Sequence, residues 1–197
     1  MSVASVLCPH VPSDECLLAR FADGERVVLE ELFGRYRVIA YRVAHRLLGN
    51  EADALDAVQD GFIKALTRLK TFQGRSSFKT WLLRVVSNAA LDLGRQRGRR
   101  ETLSLDFLAS DDPDNPQPLV CPDPAGRLVG EDLREVLQDA LQTLSEAQRQ
   151  TFVLHADGEL TYKEVAEVLG ISIGTVMSRL YYARQKLRAY LSQRIEL

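Results

Sequence analysis

Six side chains in the stretch Leu160–Leu191, namely Thr175, Ser178, Arg179, Tyr182, Gln185 and Lys186, recur at spacings that put them on one stripe of a helix. Residues of these types donate and accept hydrogen bonds, stack, and neutralise phosphates. That is the chemistry of reading a DNA major groove; it breaks no covalent bond. Val176, Leu180, Ala183, Leu187 and Leu191 make the opposite, apolar stripe. From Ser172 to Arg194 the cations Arg179, Arg184, Lys186, Arg188 and Arg194 meet no Asp or Glu, so the segment suits a polyanionic partner. The elements that must position this stripe are legible too. Thr161 and Glu164 form a capping box that opens a helix through Val165, Ala166, Val168 and Leu169, Gly170 ends it, and Ser172 caps the next. The pattern is a helix-turn-helix. A helical hairpin with a solvated basic face is the simpler alternative; the capping box, the glycine turn and the charge segregation together favour DNA.

A second basic surface lies nearer the start. Between Arg84 and Arg100 the sequence holds Arg84, Arg95, Arg97, Arg99 and Arg100 against Asp92 alone. Just before it, TFQGRSSFKTW interleaves Phe72, Phe78 and Trp81 with Arg75 and Lys79, and aromatics with cations suit unpaired bases and their backbone. The alternative is that Phe78 and Trp81 are simply core, and for Trp81 that is the better reading.

The chain has 197 residues, 46% of them hydrophobic, which excludes disorder throughout and leaves room for one large or two small domains. Its net charge of −2 means that nucleic-acid binding must come from local patches. No apolar run reaches the roughly 20 residues of a membrane span, and the start lacks the charged and apolar regions of a leader, so a cytoplasmic protein is expected. Cys8, Cys16 and Cys121 show no disulfide framework, and Cys8, His10 and Cys16 lack the fourth partner of a zinc site. His10, His45 and His155 have no metal-ligand spacing and no nucleophile motif is visible. Neither a cofactor nor catalysis is expected.

Apolar residues follow the helical period on both sides of one interruption, so the fold class is all-α. Five of the seven prolines, Pro113, Pro116, Pro118, Pro122 and Pro124, fall in the 25 residues 102–126, with five Asp and no Lys or Arg. This reads as an acidic linker unable to fold alone. It separates a domain at 13–100 from the helix-turn-helix domain at 127–194, with 101–126 between them. In the first domain Ser13 caps a short helix ending near Gly24, a long helix runs from Val28 to Gly49, Asn50 caps a third, and Ser77 starts a fourth through Leu93. After the linker, 131–144 is an amphipathic helix and Ser145 with Gln148 is a second capping box.

DAVQDGFIKAL at Asp56–Leu66, FQGRSSFKTWLLRVVSNAALD at Phe72–Asp92 and LTYKEVAEVLGISIGTVMSRL at Leu160–Leu180 stand in order around that linker. Together they resemble a bacterial RNA polymerase sigma factor of the extracytoplasmic-function group of the sigma-70 family, and the resemblance covers nearly the whole chain. It implies two helical domains, the first binding core RNA polymerase and opening the minus-ten promoter element, the second binding the minus-thirty-five duplex. Promoter DNA, core polymerase and an anti-sigma factor would be its partners. Asp56, Gln59, Asp60 and Phe62 would form the polymerase-binding face. Gln73, Gly74, Arg75, Ser76, Ser77, Phe78, Asn88 and Arg95 would bind the minus-ten strand, with a base flipped out toward Asn88 and the loop 73–78. Thr175, Met177, Ser178, Arg179, Tyr182, Arg184 and Lys186 would read the minus-thirty-five element, although Met177 and Tyr182 stand where relatives tend to carry cations. A dimeric helix-turn-helix repressor is the alternative, and it leaves the first two motifs unexplained.

Overall fold

The computed structural model describes residues 12–108 and 131–194. Among these, eight α-helices and one short 3-10 turn make up the regular structure: α1 (Asp14–Ala22), α2 (Val28–Leu48), α3 (Glu51–Arg68), α4 (Phe78–Leu108), α5 (Glu131–Gln142), α6 (Glu146–Ala156), α7 (Tyr162–Leu169) and α8 (Ile173–Arg194). The all-α expectation holds.

Local chemistry sets most boundaries. The Ser13 hydroxyl accepts from the Cys16 amide, the Asn50 side chain from the Asp53 amide and the Ser77 hydroxyl from the Thr80 amide, each satisfying a donor that a helix start leaves unpaired. Both capping boxes are formed, at Ser145 with Gln148 and at Thr161 with Glu164. Helix α4 runs further than its sequence suggested. It continues to Leu108, so the first eight residues of the expected linker are helical; no Pro or Gly lies between Arg100 and Leu108 to stop it. The rest of that segment, and Cys8 and His10, lie outside the described residues.

Helices α2, α3 and α4 pack together, with α1 against α2, around the fully buried Leu17, Leu32, Val43, Leu82, Leu83 and Val86. Gly61 permits the close approach of α3 to α4, since a Cβ there would stand 3.0 Å from the Cα of Val86. In the second half α8 packs on α5, α6 and α7 around Leu141, Leu154, Leu160, Val165, Val176 and Leu180. The halves touch each other as well, α4 meeting α7 and α2 meeting α6.

Candidate nucleic-acid interface

Gly170 closes α7 in the left-handed conformation, φ 64°, and the Ser172 hydroxyl accepts from the Thr175 amide at 3.1 Å to start α8. The turn aims one face of α8 outward while Val176, Leu180, Ala183 and Leu187 are buried. On the outer face Met177 and Tyr182 are 55% and 56% exposed, Ser178, Arg184 and Lys186 are exposed, and Thr175 and Arg179 are half-buried. The expected stripe is therefore brought together. Several of these side chains carry internal bonds: Ser178 donates to the Thr175 carbonyl, the Thr175 hydroxyl shares a 2.9 Å bond with Ser172, and the neighbouring Arg184 donates to the Tyr162 hydroxyl at 3.3 Å. Tyr181, which the stripe did not include, is equally exposed; its ring meets Tyr182 edge-on at 5.4 Å and its hydroxyl accepts from Gln185. Its position one residue before Tyr182 was the available signal.

In the first half, Gln73, Gly74 and Arg75 are exposed in the loop before α4, Gly74 with φ 64°, and Ser76 is half-buried. Ser77 is exposed and spends its hydroxyl on Thr80. Phe78 is a correction. It is 2% exposed, with its ring 5.6 Å from Phe33, 5.7 Å from Tyr36 and 5.7 Å from Trp81, and it cannot meet a base without dismantling this aromatic cluster. Trp81 is half-buried in the same cluster, close to its expected core role.

Asn88 is exposed on α4. It lines an open cavity of about 430 Å³ with Lys64, Arg68, Trp81, Arg84 and Asp92. Residues 73–78 are not among those that line this cavity. Lys64 and Arg68 from α3, which motif spacing on α4 did not reveal, line it as well. Arg95 lies one turn beyond Asp92 and is drawn to Asp92 at 3.4 Å and to Glu146 of α6 at 2.7 Å. The Arg95 guanidinium lowers the pKa of Glu146, so that carboxylate stays charged.

The outer face of α3 presents Asp56, Gln59 and Asp60 to solvent together with the exposed Leu55 and Ile63; Asp60 pairs with Lys64 at 2.7 Å. Phe62 is half-buried, its ring turned inward to Phe33 at 5.1 Å with part of its surface left outside beside them.

Two family models match the chain, sigma-70 region 2 over residues 32–100 and sigma-70 region 4 over residues 134–187. The chain is 36% identical over 168 residues to the ECF RNA polymerase sigma factor SigE of Mycolicibacterium smegmatis, covering 83% of this chain and 62% of that protein's length. It is 29% identical over 177 residues to the ECF RNA polymerase sigma-E factor of Escherichia coli, covering 89% of this chain and 92% of the other. Among solved structures it resembles CnrH in complex with the cytosolic domain of CnrY, with TM-score 0.68, 28% identity and coverage of 92% of this chain and 99% of that one. It also resembles the sigma factor RpoE in complex with the anti-sigma factor NepR from Bartonella quintana, with TM-score 0.62, 26% identity and coverage of 83% and 98%.

Proposed function

Since the chain belongs to the sigma-70 family, and to its extracytoplasmic-function group, we propose that it is a transcription initiation factor that binds core RNA polymerase, directs it to particular promoters and helps to open the minus-ten element. The observation that carries this is the presence, in one chain, of two separate surfaces suited to nucleic acid in different states. The exposed face of α8 suits a duplex groove, and the cation-walled cavity around Asn88 suits an extruded base.

The division of labour follows. Residues 13–100 form the domain that meets polymerase and the minus-ten strand, and 127–194 the domain that reads the minus-thirty-five duplex. Asp56, Gln59 and Asp60 meet polymerase, with Phe62 acting as their internal support. Asn88 can donate to and accept from a Watson–Crick edge, while Lys64, Arg68 and Arg84 face the backbone of the strand. Gln73, Gly74, Arg75 and Ser76 contact the strand separately from that cavity. No step makes or breaks a covalent bond, so the factor works by binding alone: contacts to single-stranded bases offset an unpairing cost of a few kcal/mol. Acting on polymerase and promoters places it in the cytoplasm. Solved structures of two similar proteins hold partner chains, one of them an anti-sigma factor, which supports a protein antagonist of that kind here.

In vitro transcription with purified core polymerase on a library of promoter templates tests the proposal. Factor-dependent transcripts from a subset sharing two spaced elements are expected. Absence of transcripts together with failure to co-elute with core polymerase would refute it.

A further inference from the structure

Helix α1 carries none of the site residues, yet one of its side chains is bonded into the packing beneath them. The Asp14 carboxylate accepts from Arg35 at 3.0 Å through one oxygen and from the Tyr36 hydroxyl through the other. All three side chains are half-buried. Burial, and then the Asp14 carboxylate, raises the pKa of Tyr36, so the hydroxyl keeps its proton and remains a donor. A carboxylate acceptor makes this a charge-assisted bond, about twice as strong as a neutral one. It ties the start of α1 to one ring.

That ring belongs to the aromatic cluster. Tyr36 stands 5.7 Å from Phe78, Phe78 stands 6.1 Å from Phe72 and 5.7 Å from Trp81, and Phe72 stands 5.2 Å from Trp81. Phe72 and Phe78 bracket the loop 73–77, so the two rings fix its two ends. Trp81 is also a wall of the cavity around Asn88. Both surfaces assigned to the minus-ten strand thus rest on rings that Tyr36 touches directly or through Phe78. Close-packed rings transmit a displacement to their neighbours rather than absorb it. We infer that Asp14 is a positioning residue for strand opening: by holding the Tyr36 hydroxyl it sets that ring against Phe78, and so sets the loop 73–77 and the Trp81 wall where the unpaired strand meets them. Asp14 itself touches no DNA. Its role in opening rests on the minus-ten assignment above; its coupling to Trp81 does not.

Full-length variants with core polymerase test both parts. Tyr36→Phe keeps the ring and removes only the hydroxyl, and Asp14→Ala removes the acceptor. Each should lower the permanganate reactivity of unpaired thymines on a factor-dependent promoter about fivefold, the worth of one ordinary hydrogen bond. Polymerase affinity, set by a different face, should stay within about twofold. The double variant should be no worse than either single one, because both remove the same bond. Asp14→Asn, whose amide oxygen can still accept from Tyr36, should return opening to within about twofold of the parent. Glu31→Gln breaks only the exposed pair with Arg35 at 2.6 Å and should stay within about twofold as well. Trp81 is the single tryptophan of the chain, so acrylamide quenching of its fluorescence reads the cluster without DNA or polymerase. Quenching should increase in Tyr36→Phe and Asp14→Ala but not in Glu31→Gln. Opening that is unchanged in Tyr36→Phe overturns the positioning role, and so does a loss matched by an equal loss of polymerase affinity. Unchanged quenching overturns the coupling to Trp81. A parent protein that opens no promoter refutes the minus-ten reading and the positioning role with it, while the quenching still decides the coupling.

Discussion

The Thr80 hydroxyl donates a 3.0 Å hydrogen bond to one oxygen of the Glu164 carboxylate, while the other oxygen accepts from the Thr161 amide at 2.9 Å and the Thr161 hydroxyl at 2.7 Å. One carboxylate therefore caps α7 and ties it to α4. Burial raises the pKa of Glu164, but the bonds from Thr161 and Thr80 outweigh it and hold the group below its ordinary value. A carboxyl depressed in the folded state stabilises the fold above its unfolded pKa of about 4.3, and that contribution disappears as pH falls through the folded value. Glu164→Gln keeps a carbonyl oxygen that can still complete the capping box, so at neutral pH it should cost less than about 1 kcal/mol, the part due to the charge. In urea melts the gap to the parent protein should narrow as pH falls below the unfolded value of about 4.3. A gap that stays constant with pH contradicts the role given to the charge.

Asp56 stands in solvent on α3 while the inner side of that helix is occupied by Ala54, Ala57, Val58 and Ala65. Asp56→Arg therefore leaves the packing alone and reverses one charge on the proposed polymerase face. Core-polymerase affinity should fall about tenfold or more, the scale of losing one charged interface contact, while the melting temperature stays put. Titration of labelled core polymerase with wild type and variant checks this; equal affinities remove Asp56 from the interface.

The sequence carried the parts of this fold that are decided within one or two turns. Ser13, Asn50, Ser145 and Thr161 cap helices as their types suggest, and Gly170 ends α7. Phe62 and Phe78 entered the site lists through the family resemblance, although helical periodicity places Phe62 on the inner side of its helix; both rings pack on Phe33, a partner at least 29 positions away that periodicity alone cannot pair with them. The same holds for the site. Asn88 was visible as a polar residue on an apolar helix, but Lys64 and Arg68 reach its cavity only because α3 crosses α4 closely at Gly61. The ion pairs between the halves span 51 positions for Arg95 with Glu146 and 117 for Arg42 with Glu159, and no local pattern announces them.

Asn88 sits at the surface, so truncating it costs little stability. Asn88→Ala should leave polymerase binding within about twofold and reduce strand opening about tenfold, since a side chain that hydrogen-bonds a base edge is worth roughly 1–3 kcal/mol. Permanganate footprinting of unpaired thymines on a factor-dependent promoter gives the comparison. Equal reactivity for variant and parent would mean that the cavity holds no base.

Tyr182 and Met177 are both more than half exposed on the outer face of α8, and neither can make the bidentate contact by which arginine discriminates guanine, worth roughly 1–3 kcal/mol. Tyr182 stands edge-on to Tyr181, whose hydroxyl is held by Gln185, so the two rings form one aromatic surface suited to a thymine methyl or a sugar. Arg179 is half-buried at the base of this surface, and Arg184 is partly engaged by Tyr162. The minus-thirty-five element should therefore depend little on guanine opposite Tyr182 and draw its affinity from phosphates. In a binding-site selection Tyr182→Arg should introduce a guanine preference at one position, whereas Arg179→Ala should weaken binding about equally across sequences and reduce the salt slope by about one. Thr175 and Ser178 spend hydroxyl bonds within the helix start, so their replacement by alanine should change the selected sequence less than Tyr182→Arg does. A native selection that already returns an invariant guanine there, or an unchanged one for Tyr182→Arg, would show that α8 meets the groove through a different stripe.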